Sequence, residues 1–391
     1  MLMKELSMMK AVVLTWRNKN TLNEYSGGST RLHFLLNIIR NALNISDMLI
    51  YTVDELDTVS SKAYAFIARV LSHLSITLAS SLREYRFNAV NCKKLVNIIN
   101  KNEKDDLILI LDHIRSVIMI ANCINDLLKY KDHIIHISHD FSTEHPYRSY
   151  FTTGLNKKSL KILEKLNPIT ITVSMRDKIL YEESANLNDV IVFPNIYPPI
   201  DDKMNIINYA ISKNEDSLII NIVKPVMSVN YIKILNKLIK TLEKYLDYKI
   251  KIRIISSNIS YFEKDLSNKY NDRKISIEVS NNIPSRIDYL KYLSEGHIGI
   301  VELYGKYSSG TNVRRYDYAL AAVMPALYYI NVQGERMPHE IVFRDIEDLV
   351  AKLTYLSINE LIRYGISNKE YAIDLFNRYF NILLDKLHKI L

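Results

Sequence analysis

Short apolar segments alternate with helical patterns along almost the whole chain of 391 residues. Residues 107–111, with the sequence LILIL, form an uninterrupted apolar run of the kind that fits a strand covered on both faces. Repeated alternation of such strands with helices predicts an α/β fold built on parallel sheets. The predicted strands are residues 10–16, 48–52, 107–111, 134–138, 169–174, 190–193, 218–223, 249–255, 275–279, 297–302 and 326–330.

The length of the chain indicates two domains, because single hydrophobic cores stop growing near roughly 250 to 300 residues. The alternation is interrupted where the sequence PNIYPPIDD begins at Pro194, and proline-stiffened backbone suits an interdomain connection. We predict a first Rossmann-like domain over residues 1–195, a connector over 196–203, a second Rossmann-like domain over 204–370 and a C-terminal helix over 371–391 that packs back on the first domain. The two doubly wound parallel sheets would face each other across a cleft, which is the default place for a ligand.

The net charge of +8 favours anionic partners such as phosphorylated ligands, nucleic acid or acidic lipid surfaces. The basic residues are dispersed and are not interleaved with aromatic residues, so we expect no nucleic-acid binding. The chain has no apolar run long enough to span a membrane, and its short N-terminal apolar segment indicates a strand and not a signal peptide. We therefore expect a cytoplasmic protein.

The two cysteines, Cys92 and Cys123, show no CxxC or Cys/His spacing. We expect them to form neither a zinc site nor a disulfide, and a reducing compartment follows from that expectation.

The stretch SSGTNVRRYDYALAAVMP, residues 308–325, has the composition of a helix start that can hold an anion. Ser309, Gly310 and Thr311 stand where the helix should begin, and the first amide groups of a helix lack intrahelical partners. Arg314 follows in the first turns and adds a fixed positive charge with planar donors. The alternative is an ordinary helix cap followed by a solvent-exposed arginine.

A histidine and an aspartate follow the strand predicted at residues 134–138. In open parallel sheets, ligands lie beyond the carboxyl ends of the strands, which is where His139 and Asp140 fall. His139 is a candidate base near neutral pH, and Asp140 is a candidate to orient it; the alternative is a structural histidine. A metal site of His133, His136 and His139 is disfavoured, because residues spaced by three in a strand alternate between its faces.

Two glycines, Gly27 and Gly28, separate the first predicted strand from a helical pattern over residues 30–42. A strand, a glycine turn and a helix open many nucleotide-binding folds. The sequence GGS is not the GxGxxG fingerprint, so we expect no dinucleotide cofactor.

Four segments, in order, resemble the glycosyltransferases of the GT-B fold, especially glycosyltransferase family 4, also called group 1. They are HISHD with a histidine at a strand end, ITVSMRDKIL with a "VS" strand before a helix, VIVFPNIYPPI with a strand closing in "PN", and GTNVRRYDYALAAVMP. The last resembles the donor-binding element, in which a glycine precedes a basic residue, an acidic residue, a small apolar helix and a proline. The resemblance covers nearly the whole chain and implies the GT-B fold.

The resemblance also implies roles for individual residues. Gly27 and Gly28 match the glycine loop that approaches the donor phosphate and the acceptor, and His139 matches a histidine near the transferred sugar. Lys224 stands where the family often carries a basic residue that binds the diphosphate, and Arg314 matches a basic position of the donor helix.

The donor-binding element also departs from the family pattern. Asp317 matches the acidic residue that holds the nucleotide ribose, although the family usually has glutamate there. The earlier glutamate of the family's acidic pair falls on Ser309, and residues 322–324 replace the glycine before the proline. Glu302 is a candidate to supply the missing carboxylate, and an ordinary strand-end charge is the alternative.

These features predict a glycosyltransferase that moves a sugar from a nucleotide-activated donor to a glycan, a lipid-linked acceptor or a protein. Lys224, Arg314 and the helix start near Gly310 would stabilise the charge on the leaving diphosphate. The chain contains no DxD triplet, which argues for a metal-independent reaction with no cofactor besides the donor substrate. Two alternatives stay open, a GT-B-like binding or scaffold protein without catalysis and a nucleotide-sugar epimerase.

Residues 60–94 combine apolar side chains, among them Phe66 and Val70, with basic side chains such as Lys62 and Arg69. This combination suits peripheral contact with an anionic membrane. A helix that faces the core and carries a solvated basic face is the alternative.

Overall fold

A computed structural model describes residues 9–22, 27–71, 82, 85–101, 107–139, 150–211, 213, 215–224, 228–256, 274–280, 283, 285–303, 313–331 and 334–390. By its internal contacts the chain divides into two units, one of Met1–Pro194 with Tyr379–Leu391 and one of Asn195–Arg378. Each unit contains a six-stranded sheet whose strands are all parallel, as the alternating sequence pattern predicts. Within these ranges, no helix is long and apolar enough to cross a membrane.

The sheet of the first unit has the strand order β2-β1-β3-β4-β5-β6. Its strands are β1 (Met9–Thr15), β2 (Ile45–Thr52), β3 (Leu107–Asp112), β4 (Ile134–Ile137), β5 (Ile169–Thr172) and β6 (Val190–Val192). Because β2 and β3 lie on opposite sides of β1, the strand order reverses between β1 and β3. In open α/β sheets, ligands bind in the crevice beyond the carboxyl ends of the strands at such a switch point.

Helices surround this sheet. In the described part of the first unit they are α1 (Lys19–Leu22), α2 (Gly27–Ala42), α3 (Val53–Leu56), α4 (Val59–Leu71), α5 (Cys92–Lys101), α6 (His113–Met119), α7 (Ile124–Leu127), α8 (Tyr150–Leu166) and α9 (Met175–Ala185). Helix α2 shows why they form, since its buried Leu32, Leu35, Leu36 and Ile39 recur at helical spacing and make one apolar stripe.

The second unit repeats the plan with the strand order β12-β11-β10-β7-β8-β9. Its strands are β7 (Leu218–Val223), β8 (Ile250–Ile255), β9 (Ile275–Ser280), β10 (Ile298–Ile300), β11 (Met324–Tyr328) and β12 (Ile341–Phe343). Its described helices are α10 (Val229–Tyr245), α11 (Arg286–Ser294), α12 (Val313–Leu320), α13 (Ile346–Thr354) and the part of α14 (Ile358–Leu387) that precedes Tyr379. The strand order reverses between β7 and β10, which gives this sheet a switch point of its own.

A glycine in β10 lets helix α12 lie against the sheet. A Cβ atom at Gly299 would come within 2.2 Å of the ring of Tyr318, so any other residue would push the helix away. The hydroxyl of Tyr318 lies 3.2 Å from the carbonyl oxygen of Ile300 and accepts a hydrogen bond from the amide of Val223 at 3.2 Å. These contacts fix α12 beside the carboxyl ends of β7 and β10.

Several element boundaries differ from the prediction. Helix α2 begins at Gly27, so Gly27 and Gly28 open the helix and do not form a loop before it. The first turn tolerates glycine because its amide groups need no intrahelical partner. After β3 the chain forms two helices, α6 and α7, which are separated by a short 3-10 helix, Ala121–Cys123. Strand β12 was not predicted, because an apolar run of three residues is too short to show the periodicity of a strand or a helix.

A disulfide joins Cys92 at the start of α5 to Cys123 at the end of the short 3-10 helix. The Cα atoms are 5.9 Å apart, and both residues are buried. The expectation that the cysteines stay unpaired is therefore wrong. Their separation of 31 residues has no motif, and only the packing of α5 on this helix brings them together. The pairing removes the argument from cysteine spacing for a reducing compartment.

Candidate functional site

The first cluster of polar side chains lies at the switch point of the first sheet. Thr15 ends β1 and Asp112 ends β3, and the two residues are paired in the parallel register. The hydroxyl of Thr15 donates a hydrogen bond of 2.6 Å to one carboxylate oxygen of Asp112. His139, which follows β4, places Nε2 at 2.5 Å from the other oxygen. The predicted histidine is thus held by a carboxylate from a different strand.

The carboxylate of Asp112 is completely buried. Burial alone would raise its pKa, but attraction to His139 and hydrogen bonds from His139 and Thr15 outweigh burial and hold the pKa of Asp112 below its usual value. The guanidinium of Arg17 also lowers the pKa of Asp112, with Nε at 3.8 Å from one of its carboxylate oxygens. Asp112 therefore stays ionised and can fix the imidazole that it contacts.

The contact with Asp112 defines how His139 can act. When Nε2 donates to the carboxylate, Nδ1 carries the lone pair of the neutral ring. Within the part of the chain that the structure describes, His139 Nδ1 is buried and has no hydrogen-bond partner. Asp112 therefore fixes the orientation of the ring through Nε2.

The backbone at the end of β3 is strained. His113 has a φ of 70°, a left-handed conformation that is uncommon for a residue with a side chain. Its ring lies 5.9 Å from that of His139 and 5.6 Å from that of Trp16. The guanidinium of Arg115 lies over the Trp16 ring, 4.3 Å from the ring centroid. Strain of this kind collects at functional sites, where the surrounding packing holds it.

The other histidine of β4 has a structural environment. His136 is fully buried, and burial lowers its pKa to about 3, so the ring stays neutral inside the sheet. Tyr181 packs against it edge to face. The described residues include His133, His136 and His139, and among these residues no group of three side chains is arranged to hold a metal ion.

The second cluster lies at the switch point of the second sheet and contains three predicted residues. Lys224 follows β7, Glu302 follows β10 and Arg314 lies in the first turn of α12. The Lys224 ammonium is 2.9 Å and 3.2 Å from the two carboxylate oxygens of Glu302. Arg314 donates to the same carboxylate at 3.1 Å and to the carbonyl of Val223 at 2.8 Å. Burial would lower the pKa of Arg314, but Glu302 more than offsets it and the pKa is raised.

The neighbouring arginines of α12 have different environments. Arg315 is completely buried and makes a bidentate ion pair with Glu340, with Nη2 at 2.7 Å from one carboxylate oxygen and Nε at 3.0 Å from the other. Arg314 keeps a fifth of its side chain exposed, beside Lys224 and Glu302. These two arginines are adjacent in the sequence, but Arg314 faces the polar cluster and Arg315 faces the interior.

Asp317 also lies in α12, and its carboxylate is engaged by the protein. Arg286 makes an ion pair with it at 2.6 Å, and the hydroxyl of Tyr289 lies at 3.4 Å. The same guanidinium donates to the carbonyl oxygen of Tyr197 at 2.8 Å and 3.0 Å. Asp317 thus links α12 through Arg286 to the proline-rich segment after β6. Its predicted contact with a nucleotide ribose stays a prediction.

The chain directly after α12 contains residues 322–324, which replace the glycine that the GT-B pattern has before the proline. Ala322 has a φ of 56°, the left-handed conformation that glycine adopts without cost. The backbone therefore turns as a glycine would turn, although the chain carries alanine.

Four predicted site residues, Asp140, Ser309, Gly310 and Thr311, lie outside the described residues. Asp112, which sequence reasoning missed, had one available signal, its position directly after the apolar run LILIL.

No protein-family model matches the sequence, and no curated protein matches it. Solved structures do match the fold. TarM from S. aureus superposes with a TM-score of 0.54 at 14% identity, over 77% of this chain and 58% of TarM, so the chain spans less than two thirds of that protein.

Two further structures match over their full length. An α,α-trehalose-phosphate synthase (UDP-forming) from Burkholderia vietnamiensis has a TM-score of 0.56 at 10% identity, over 98% of this chain and 100% of that one. HepE from Anabaena, solved with UDP and glucose, has a TM-score of 0.55 at 10% identity, over 97% and 99% of the two chains. At these identities the likeness establishes the fold alone. The two parallel sheets and these neighbours together show that the chain has the fold of the GT-B glycosyltransferases.

Proposed function

We propose that the protein is a glycosyltransferase that takes a sugar from a nucleotide-activated donor. The observation that carries the proposal is the pair of cations, Lys224 and Arg314, at the switch point between β7 and β10. Cleavage of a sugar–diphosphate bond leaves negative charge on the diphosphate, and preorganised positive groups stabilise that charge. The fold adds support, because UDP is named with solved neighbours such as HepE.

The first unit supports a role in proton transfer. An acceptor hydroxyl that attacks the anomeric carbon must lose its proton, and His139 held by Asp112 provides an oriented nitrogen for it. The electron pair of the broken bond passes to the diphosphate, whose charge Lys224 and Arg314 would offset. We further propose that the reaction needs no metal, and that the acceptor is a glycan, a lipid-linked saccharide or a protein.

Nucleotide binding is the first property to test. We expect at least one nucleoside diphosphate or nucleotide sugar to raise the melting temperature of the purified protein, because a ligand of the native state stabilises it. Lys224→Met should weaken this shift, since it removes half of the cationic pair. Lys251→Met is a matched control, because Lys251 also pairs with a glutamate in this unit but lies within β8. A melting temperature that no nucleotide changes would contradict the proposal.

We also propose that helix α4 contacts an anionic membrane. Helix α4 buries only Ser61 and Ala68, while Phe66 is 66% exposed and Val70 is 51% exposed. A helix that faces the core therefore does not explain these side chains. Lys62 stands on the same helix, and basic residues beside exposed apolar ones suit an anionic lipid surface.

Vesicle flotation tests this contact. We expect the protein to float with vesicles that contain an acidic phospholipid at low salt, and to float less when Phe66 and Val70 are both replaced by serine. Val229→Ser serves as the control, because Val229 is an equally exposed apolar residue at the start of α10, with 63% of its surface accessible. Wild-type protein that stays with the unbound fraction at low salt would remove the membrane proposal.

A further inference from the structure

The carboxylate of Glu302 occupies the space between the two cations that the proposed function assigns to the diphosphate. Both carboxylate oxygens of Glu302 accept hydrogen bonds from the Lys224 ammonium, at 2.9 Å and 3.2 Å. One of them also accepts a hydrogen bond from the Arg314 guanidinium at 3.1 Å. An anion is therefore already bound between these cations, and it belongs to the protein.

This ion cluster is accessible to solvent, unlike the other arginine–glutamate pair of α12. The side chains of Lys224, Glu302 and Arg314 are 27%, 16% and 20% exposed. The side chains of Arg315 and Glu340 are 0% and 7% exposed. The Lys224–Glu302–Arg314 cluster is thus partly open to solvent, whereas the Arg315–Glu340 pair is enclosed by the protein.

Charge explains why a diphosphate would displace the glutamate. One carboxylate facing two cations leaves a net charge of +1 on the three side chains. A diphosphate brings at least two negative charges and several oxygens, so it can satisfy both cations at once, whereas a carboxylate brings one charge. A monoanionic ligand would gain little over Glu302, and the cluster should therefore discriminate in favour of diphosphates.

We propose that Glu302 is an internal counter-ion that the diphosphate of the ligand displaces and that returns when the diphosphate leaves. Without ligand, Glu302 holds Lys224 and Arg314 together against their mutual repulsion. With ligand, it competes for the same cations, so it weakens diphosphate binding and assists release of the product. The inference rests on the proposed function, because it takes the same cations as the diphosphate site. It departs from the prediction that Glu302 supplies a ligand-binding carboxylate.

The test compares binding of pyrophosphate and of UDP to the full-length protein by titration calorimetry. Glu302→Gln keeps the shape of the side chain and removes its charge, and we expect it to tighten pyrophosphate binding by about tenfold, equivalent to about 1.4 kcal/mol. The same substitution in a Lys224→Met background should give a much smaller gain, since one of the two cations is then absent.

Glu278→Gln is the matched control. Glu278 of β9 is also held between a lysine and an arginine of this unit, Lys251 and Arg253, but both of these lie within β8 and not at its carboxyl end. It produces the same change in net charge, so equal tightening in both variants would show a general charge effect and would overturn the inference. Weaker or unchanged pyrophosphate binding in Glu302→Gln would overturn it as well, since Glu302 would then support the ligand.

The outcome separates this inference from the proposed function. If the wild type transfers sugar and Glu302→Gln binds pyrophosphate no better, the inference fails alone. If Glu302→Gln binds pyrophosphate more tightly but no nucleotide sugar is turned over, the inference stands and the transferase proposal fails. If neither form binds pyrophosphate or UDP, both fail. Circular dichroism and thermal melting of each variant confirm that it is folded.

Discussion

Replacement of Arg315 by methionine is expected to lower the free energy of unfolding of the second unit by about 3 to 5 kcal/mol. The guanidinium of Arg315 is completely buried and forms a bidentate pair with Glu340, itself buried. Methionine fills a similar volume but removes the guanidinium from the Glu340 carboxylate, which among the described residues keeps only the backbone amide of Met337 at 3.3 Å and the exposed Arg336 at 4.0 Å. The loss of stability comes from leaving this buried carboxylate with poor compensation, and this cost is larger than the net contribution of the intact pair.

Arg314 provides the control for this prediction, because it is the adjacent residue of the same helix. Its charge is partly exposed, and Lys224 remains beside Glu302 when it is removed. We expect Arg314→Met to cost about 1 kcal/mol of stability and to weaken nucleotide binding instead. Urea unfolding followed by circular dichroism measures both variants. Equal losses of stability would show that the two arginines do not differ as their environments imply.

Replacement of His139 by alanine is expected to reduce sugar transfer by about 10² to 10⁴, the usual contribution of a general base. The physical reason is the oriented ring, which Asp112 holds through Nε2. Nucleotide affinity should change little, because the cations of the second cluster are intact. The loss would then fall on kcat and not on the KM for the donor.

Asp112→Asn tests the same dyad through its carboxylate. An asparagine keeps the size of the side chain but can present its amide nitrogen to the ring, which favours the wrong tautomer. We expect a loss of transfer similar to that of His139→Ala, with donor KM unchanged. His133→Ala is the control, since His133 precedes β4 while His139 follows it. A His139→Ala variant with wild-type kcat would show that the histidine is structural.

The alternation of apolar runs and helices was sufficient to predict the two parallel sheets, because buried strands such as β3 leave an unambiguous pattern. The pattern failed for β12, which has only three residues, and for the start of α2, where glycine does not mark a loop. It also gave no sign of the Cys92–Cys123 disulfide, because pairing across 31 residues depends on how helices pack.

Part of the candidate site was predicted from the sequence. His139 was identified from its position after a strand, and Lys224, Glu302 and Arg314 from the resemblance to the GT-B glycosyltransferases; the structure places each of them in a polar cluster. Their partners were not predictable, because Asp112 reaches His139 and Arg286 reaches Asp317 across the fold and not along the sequence. The distinction between Arg314 and Arg315 likewise depends on helix orientation, which Gly299 and Tyr318 determine by letting α12 approach the sheet.

Whether the protein transfers sugar can be measured as release of nucleoside diphosphate from a panel of nucleotide sugars, with and without added glycan acceptors. We predict that the wild type releases the diphosphate from at least one donor, that a suitable acceptor accelerates the release, and that Lys224→Met and His139→Ala lose it while remaining folded. Binding of a nucleotide without release from any donor would favour a scaffold protein, and conversion of the sugar without release would favour an epimerase. Either result would contradict the account of this protein as a glycosyltransferase.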